Sequence, residues 1–146
     1  MDVDRDAPAY AEGRIEVDAP RDTVWQVLTG FAEWPSWNDG VTNVQIDAPP
    51  APGVRFRWKS GPGTIKSVID EIDAPRAIAW TGKTVGIRAQ HAWQLEEGAT
   101  GTVVTTQEAW HGLVVRLLRH SIRPTLQKSI DEFLDALELE SERRAQ

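Results

Sequence analysis

The chain contains no cysteine, which excludes disulfides and thiolate metal ligation and fits a reducing compartment. It lacks a basic surplus too: 16 Lys and Arg stand against 22 Asp and Glu, a formal net charge of −6. Proteins that neutralise phosphates carry the opposite balance, so no nucleic-acid partner is expected. No stretch approaches the roughly 20 apolar residues of a membrane span, so stable insertion is not expected. Met1-Asp2-Val3-Asp4-Arg5-Asp6 is acidic and has no apolar run, unlike a secretory signal, and the expected location is the cytoplasm. The three histidines, His91, His111 and His120, show no metal-ligand spacing such as HxxxH, so neither metal nor cofactor is expected. No Ser-His-Asp order stands out. Gly61-Pro62-Gly63 lacks the surroundings of a phosphate loop and reads as a turn between strands. No internal repeat is visible.

What is present is an ordinary globular composition, 40% hydrophobic and 26% charged over 146 residues, the size of one domain with a sizeable core. Residues 1–11 read as a loose leader and 12–146 as the domain. Seven tryptophans, Trp25, Trp34, Trp37, Trp58, Trp80, Trp93 and Trp110, are many for this length. Each can bury ~150–250 Å², enough to fill a core or line a cavity.

Periodicity divides the chain. Arg14 to Asp18 alternates polar and apolar as a half-buried strand does. Pro20 opens a helix, with Asp18 or Ala19 near its cap. Val24, Val27, Leu28 and Phe31 share one helical face, and Gly30 is a natural stop. Trp34-Pro35-Ser36-Trp37 is long enough for a short helix only. From about residue 41 to 110 the period becomes 2. Val54, Phe56 and Trp58 alternate with arginine and lysine; Thr64 to Ile72, Ala77 to Thr81 and Thr102 to Trp110 read as further strands. Ile87, Ala89, His91, Trp93 and Leu95 share one strand face. Short strands at this spacing make a meandering antiparallel sheet, so the fold class is α+β.

From Leu113 the chain is helical, with a phase break. Leu113, Val114, Leu117, Leu118 and Ser121 share one face, opposite Arg116, Arg119, His120 and Arg123. After Pro124 the apolar face holds Leu126, Ile130, Phe133, Leu134 and Leu137, which falls on the basic side of the first segment. A straight helix would bury arginines or expose leucines. Proline disfavours helix at the residue before it, so a break is expected near 123–124.

In this order the sequence resembles the START-related (SRPBCC, helix-grip) superfamily, in its polyketide cyclase/dehydrase and lipid-transport branch. The resemblance rests on Ile15-Glu16-Val17-Asp18-Ala19-Pro20 with Val24-Trp25-Gln26-Val27-Leu28, on Trp34-Pro35-Ser36-Trp37-Asn38, and on Pro52-Gly53-Val54-Arg55-Phe56. Ile72 to Trp80, His91-Ala92-Trp93-Gln94-Leu95 and Gly101-Thr102-Val103-Val104-Thr105 complete it over about residues 13–140. It implies a curved seven-stranded sheet gripping a long C-terminal helix, with two short helices after the first strand and a ligand cavity inside. Members bind lipids, sterols, quinones or polyketides, and some cyclise or aromatise polyketide chains. The resemblance implies no universal catalytic residue.

The expected partner is therefore a small hydrophobic molecule in an apolar cavity. The inward set is Phe56, Trp58, Ile78, Trp80, His91 and Trp93, joined by Leu117 and Ser121 from the terminal helix. Trp34 and Trp37 stand either at the mouth or in a hinge packed on the sheet edge. His91 is either a proton-transfer group, its ordinary pKa being near 6.5, or a hydrogen-bonded core histidine. One of Gln107 and Glu108 points inward, as a base or as a core partner. A binding protein, a cyclase or dehydratase enzyme, and a partner-binding module working through the stripe Arg116, Arg119 and Arg123 are the three functional readings.

Overall fold

The computed structural model describes residues 1–61 and 63–146. The turn read at Gly61-Pro62-Gly63 thus lies partly outside the described residues, at Pro62. The elements run β1 (Ala9–Val17), α1 (Arg21–Thr29), a 3₁₀ turn (Phe31–Glu33) and α2 (Trp34–Trp37), then β2 (Thr42–Ile46), β3 (Arg55–Lys59) and β4 (Thr64–Asp73). β5 (Ala77–Thr84), β6 (Ile87–Glu97), β7 (Thr102–His111), α3 (Leu113–Leu117) and α4 (Arg119–Ala145) follow. The strands form one antiparallel sheet in the order β1-β7-β6-β5-β4-β3-β2. This is the helix-grip arrangement, with α4 laid against the sheet.

The core lies between one sheet face and the helices. Leu126, Ile130, Phe133, Leu134 and Leu137 of α4 are all buried, and such side chains stabilise by roughly 1.5–3 kcal/mol each. The helix comes closest at β1, where small residues make room. A Cβ on Gly13 would stand 2.4 Å from Leu134 Cδ1 and 3.2 Å from Ile130 Cγ2. Hydrogen bonds fasten the same contact. Arg123 Nε donates to Pro8 O at 2.9 Å, Gln127 Nε2 to Glu12 O at 3.0 Å, and the Asp18 N–H to Glu142 Oε2 at 2.9 Å.

Two expectations are corrected. The loose leader over 1–11 does not hold: β1 already begins at Ala9, and Val3 and Ala7 are buried with Ala109 on the outer sheet face. Alanine and valine pack there without forming a periodic pattern. The helical break expected near 123–124 falls instead at Leu118, whose φ of −109° and ψ of 22° separate α3 from α4. Pro124 sits inside α4 as its sixth residue, where it removes the backbone bond it would have donated to His120. The phase conflict is resolved the other way: Leu113, Val114, Leu117 and Leu118 are exposed, and α3 reaches the core only through Val115.

Candidate functional site

Alternation along the strands sends every second side chain to the inner face. Cross-strand pairing then sets Trp80 opposite His91, His91 opposite Glu108, and Trp93 opposite Thr106. Phe31 and Trp34 come in from the segment after α1, and Phe133 from α4. Their rings form one continuous cluster: Phe31–Phe56 centroids are 4.6 Å apart, Trp34–Phe133 5.3 Å, Trp93–Phe133 5.1 Å, Trp80–His91 5.1 Å and His91–Trp93 4.9 Å. These separations suit tilted and edge-to-face aromatic contact.

Most of the inward residues read from the sequence meet here. Phe56, Ile78, Trp80, His91 and Trp93 are buried. Trp58 is half-buried, and its indole N–H donates to Ser67 Oγ at 3.1 Å. Trp37, also half-buried, meets Phe133 edge to face at 5.7 Å. Trp34 is neither at a mouth nor in an edge hinge. It is fully buried at the centre, its N–H donating to Leu28 O at 3.0 Å. Leu117 and Ser121 do not join the cluster: both are exposed at the α3–α4 corner. Where an open cavity was expected, the rings pack against one another between the sheet and α4. Two concavities among the described residues lie away from this cluster: one of about 660 Å³ borders Arg5, Arg14, Gln94 and Gln107, and one of about 370 Å³ borders residues 29–33 and 46–50.

Inside this apolar cluster sit two ionisable groups. The Thr106 hydroxyl donates its single proton to Ala92 O at 2.9 Å. Its oxygen therefore accepts from His91 Nε2–H, also at 2.9 Å, and this fixes the tautomer. The bare Nδ1 then faces Glu108 Oε1 at 3.7 Å, with side chains 5% and 13% exposed. Glu108 is the inward member of the Gln107/Glu108 pair; its Oε2 accepts from the Trp110 indole N–H at 3.1 Å. Burial pushes His91 down to about 3. Burial also pushes Glu108 up to about 7, against a smaller downward pull from the Trp110 hydrogen bond. Near neutral pH His91 is an uncharged base, and Glu108 stands at the border of acid and carboxylate. Such a carboxyl can donate a proton as well as accept one, whereas a fully ionised carboxylate can only accept.

Two donors in the same region are unmet. Trp37 Nε1 and Trp93 Nε1 are buried without a hydrogen-bond acceptor among the described residues, and both rings pack on Phe133. Sequence alone did not single out Phe133 as the ring linking them, nor Thr106 and Trp110 as partners of the ionisable pair. Phe133 was legible only as one residue of an apolar helical face. Among the described residues no three His, Asp or Glu side chains gather as a metal-binding group.

Residues 9–142 match the family model described as polyketide cyclase/dehydrase and lipid transport. No curated protein sequence matches the chain. Among solved structures, a hypothetical protein from Helicobacter pylori superposes with a TM-score of 0.83 at 18% identity, over 94% of this chain and 90% of that one. The di-domain ARO/CYC StfQ from the steffimycin biosynthetic pathway gives 0.78 at 15% identity, over 94% of this chain and 52% of its own. A START superfamily protein from Mycobacterium smegmatis gives 0.72 at 15% identity, over 92% and 97%. At these identities the likeness is one of fold.

Proposed function

We propose, from the premise that the chain belongs to the polyketide cyclase/dehydrase and lipid transport family, that it binds a small hydrophobic molecule carrying an acceptor oxygen, between the sheet and α4. The observation that carries this reading is the pair of buried indole N–H groups, Trp37 and Trp93, flanking Phe133 without an acceptor among the described residues. An unpaired buried donor costs about 1–3 kcal/mol, and a ligand carbonyl or phenol oxygen would recover it. Aromatic walls with few convergent polar groups suit such a ligand. Trp37, from the four-residue α2, stands at the edge of this cluster against Phe133 and would meet such a ligand first.

The test is a titration of intrinsic tryptophan fluorescence with fatty acids, quinones, sterols and aromatic polyketides. Saturable quenching by one class is expected, and Trp37→Phe should weaken that ligand about 3- to 10-fold by losing one hydrogen bond. A folded protein with no saturable response to any class overturns the reading.

A second reading, an enzyme of the cyclase or dehydratase type, is favoured by His91 and Glu108 alone. Glu108 would hold or release the proton at its carboxyl while His91 Nδ1 serves as the adjoining acceptor. If His91→Asn binds the ligand normally but loses turnover of it, this reading stands; unchanged turnover removes it.

A further inference from the structure

The exposed corner where α3 meets the β5–β6 hairpin plays no part in the interior site. Val85, at the hairpin tip, is 98% exposed, and Leu113 and Leu117 are each 72% exposed; Val114 and Leu118 are exposed beside them. These residues share one place in the fold. A Cβ on Gly86 would lie 3.3 Å from Val114 Cγ2, and a Cβ on Gly112 only 2.2 Å from Gly86 O, so the start of α3 rests directly on the hairpin. Isolated exposed leucines need no explanation, but a contiguous group of five aliphatic side chains does.

The charge around this corner is unlike that of the rest of the chain. Residues 81–91 and 113–123 carry Lys83, Arg88, Arg116, Arg119 and Arg123 and not one Asp or Glu, in a protein of net charge −6. The acid recorded beside it is Asp4, whose carboxylate lies 3.8 Å from His111 Nε2. Arg123 is committed, donating to Pro8 O at 2.9 Å, whereas Arg116 and Arg119 form no ion pair among the described residues.

We infer that this corner docks on an anionic lipid bilayer surface, with Val85, Leu113, Leu117 and Leu118 entering the headgroup–acyl boundary and Arg116 and Arg119 contacting lipid phosphates. Aliphatic residues on one side and arginines on the other are the two features that hold a helix in a membrane interface. Arginine stems are long enough to lie along the apolar patch while their heads reach the phosphates. A second copy of this chain is a poor occupant, because a two-fold contact would set the same arginines against each other. A protein groove is also a poorer match: none of the chain's seven tryptophans, nor its single methionine, tyrosine or any phenylalanine, lies in either stretch, and those are the residues that anchor protein interfaces.

The experiment is sedimentation of the full chain with phosphatidylcholine vesicles, with and without about one third phosphatidylglycerol, at low and high salt. Binding is expected to the anionic vesicles only, and to fall as salt screens the arginines. Arg116→Ser with Arg119→Ser should weaken it roughly 30-fold. Leu113→Asn with Leu117→Asn should weaken it on the order of 100-fold. All four positions are exposed, so circular dichroism and thermal unfolding should stay at wild type. Absence of binding to anionic vesicles overturns the proposal, as does binding that neither double variant alters. Self-association in sedimentation velocity that the leucine variant abolishes, without vesicle binding, would assign the corner to a second copy and overturn it equally.

Discussion

His91 and Glu108 pull the pH dependence of stability in opposite directions. Between pH 4.5 and about 7 a buried Glu108 keeps a proton that the unfolded chain has lost, so its contribution falls as pH rises through that window. Between about pH 3 and 6.5 His91 is neutral when folded and charged when unfolded, so its contribution rises with pH. From about 4.5 to 6.5 the two effects cancel, and the wild type should show a flat stability profile there. Glu108→Gln should tilt it upward with pH, and His91→Asn downward, each by up to about 1.4 kcal/mol per pH unit. Urea unfolding at half-unit pH steps checks this; parallel profiles in all three proteins would show that the pair does not titrate as its burial implies. The side chains themselves were only half legible from sequence. Strand alternation placed His91 inward, but the parity of β7 stayed open until the register set Glu108 opposite it.

Among the strands, β1 is the one that α4 packs against most closely. Gly13→Val should cost about 1–3 kcal/mol in thermal or denaturant unfolding, since its side chain must displace Leu134 and Ile130 from a close-packed surface. Retained stability would mean that α4 can shift off β1 freely. Pro124→Ala should act the other way, raising stability by about 1–3 kcal/mol, because it restores one backbone donor inside α4. A loss would mean that the proline shapes the bend at Leu118. The strands with clean alternation, such as Val54 to Trp58 and Ile87 to Leu95, were legible because period 2 reflects one face buried and the other wet. β2 has no pattern of its own in the sequence. Its five residues are exposed or half-buried, so nothing forces an apolar face upon it. The break in the terminal helix was legible as a conflict of phase, but not in its resolution. The pattern says that one set of leucines or the arginines must yield; only the packing of Val115 and Leu126 shows that it is the leucines of α3.

At the scale of the whole molecule, the family layout was legible from the order of weak motifs, whereas the packing of the rings against one another was not. Counting tryptophans says how much ring is available, not whether Trp34 and Phe133 close the space between sheet and helix. The same packing makes the sheet dependent on its last helix. A fragment ending at Gly112 lacks every α4 residue that covers the inner face, and it should show no cooperative thermal transition by circular dichroism. A sharp transition in that fragment would show that the strands and first helices suffice.

The strand order has a consequence in time as well as in space. β2 to β7 are joined by successive hairpins, each pairing with the strand made just before it. β1 alone waits, because its partner is β7, where Ala9 meets Trp110. As the polypeptide leaves the ribosome, β1 is thus made before β2 to β7 yet cannot pair until the last of them, β7, is complete. Until then Ala9, Ala11 and Val17 have no sheet to join, and their pairing must close a loop running from β1 to β7, a far longer one than any of the hairpins. The charged residues Glu12, Arg14 and Glu16 stand along that strand, the kind of residue that keeps unpaired edges from joining other chains.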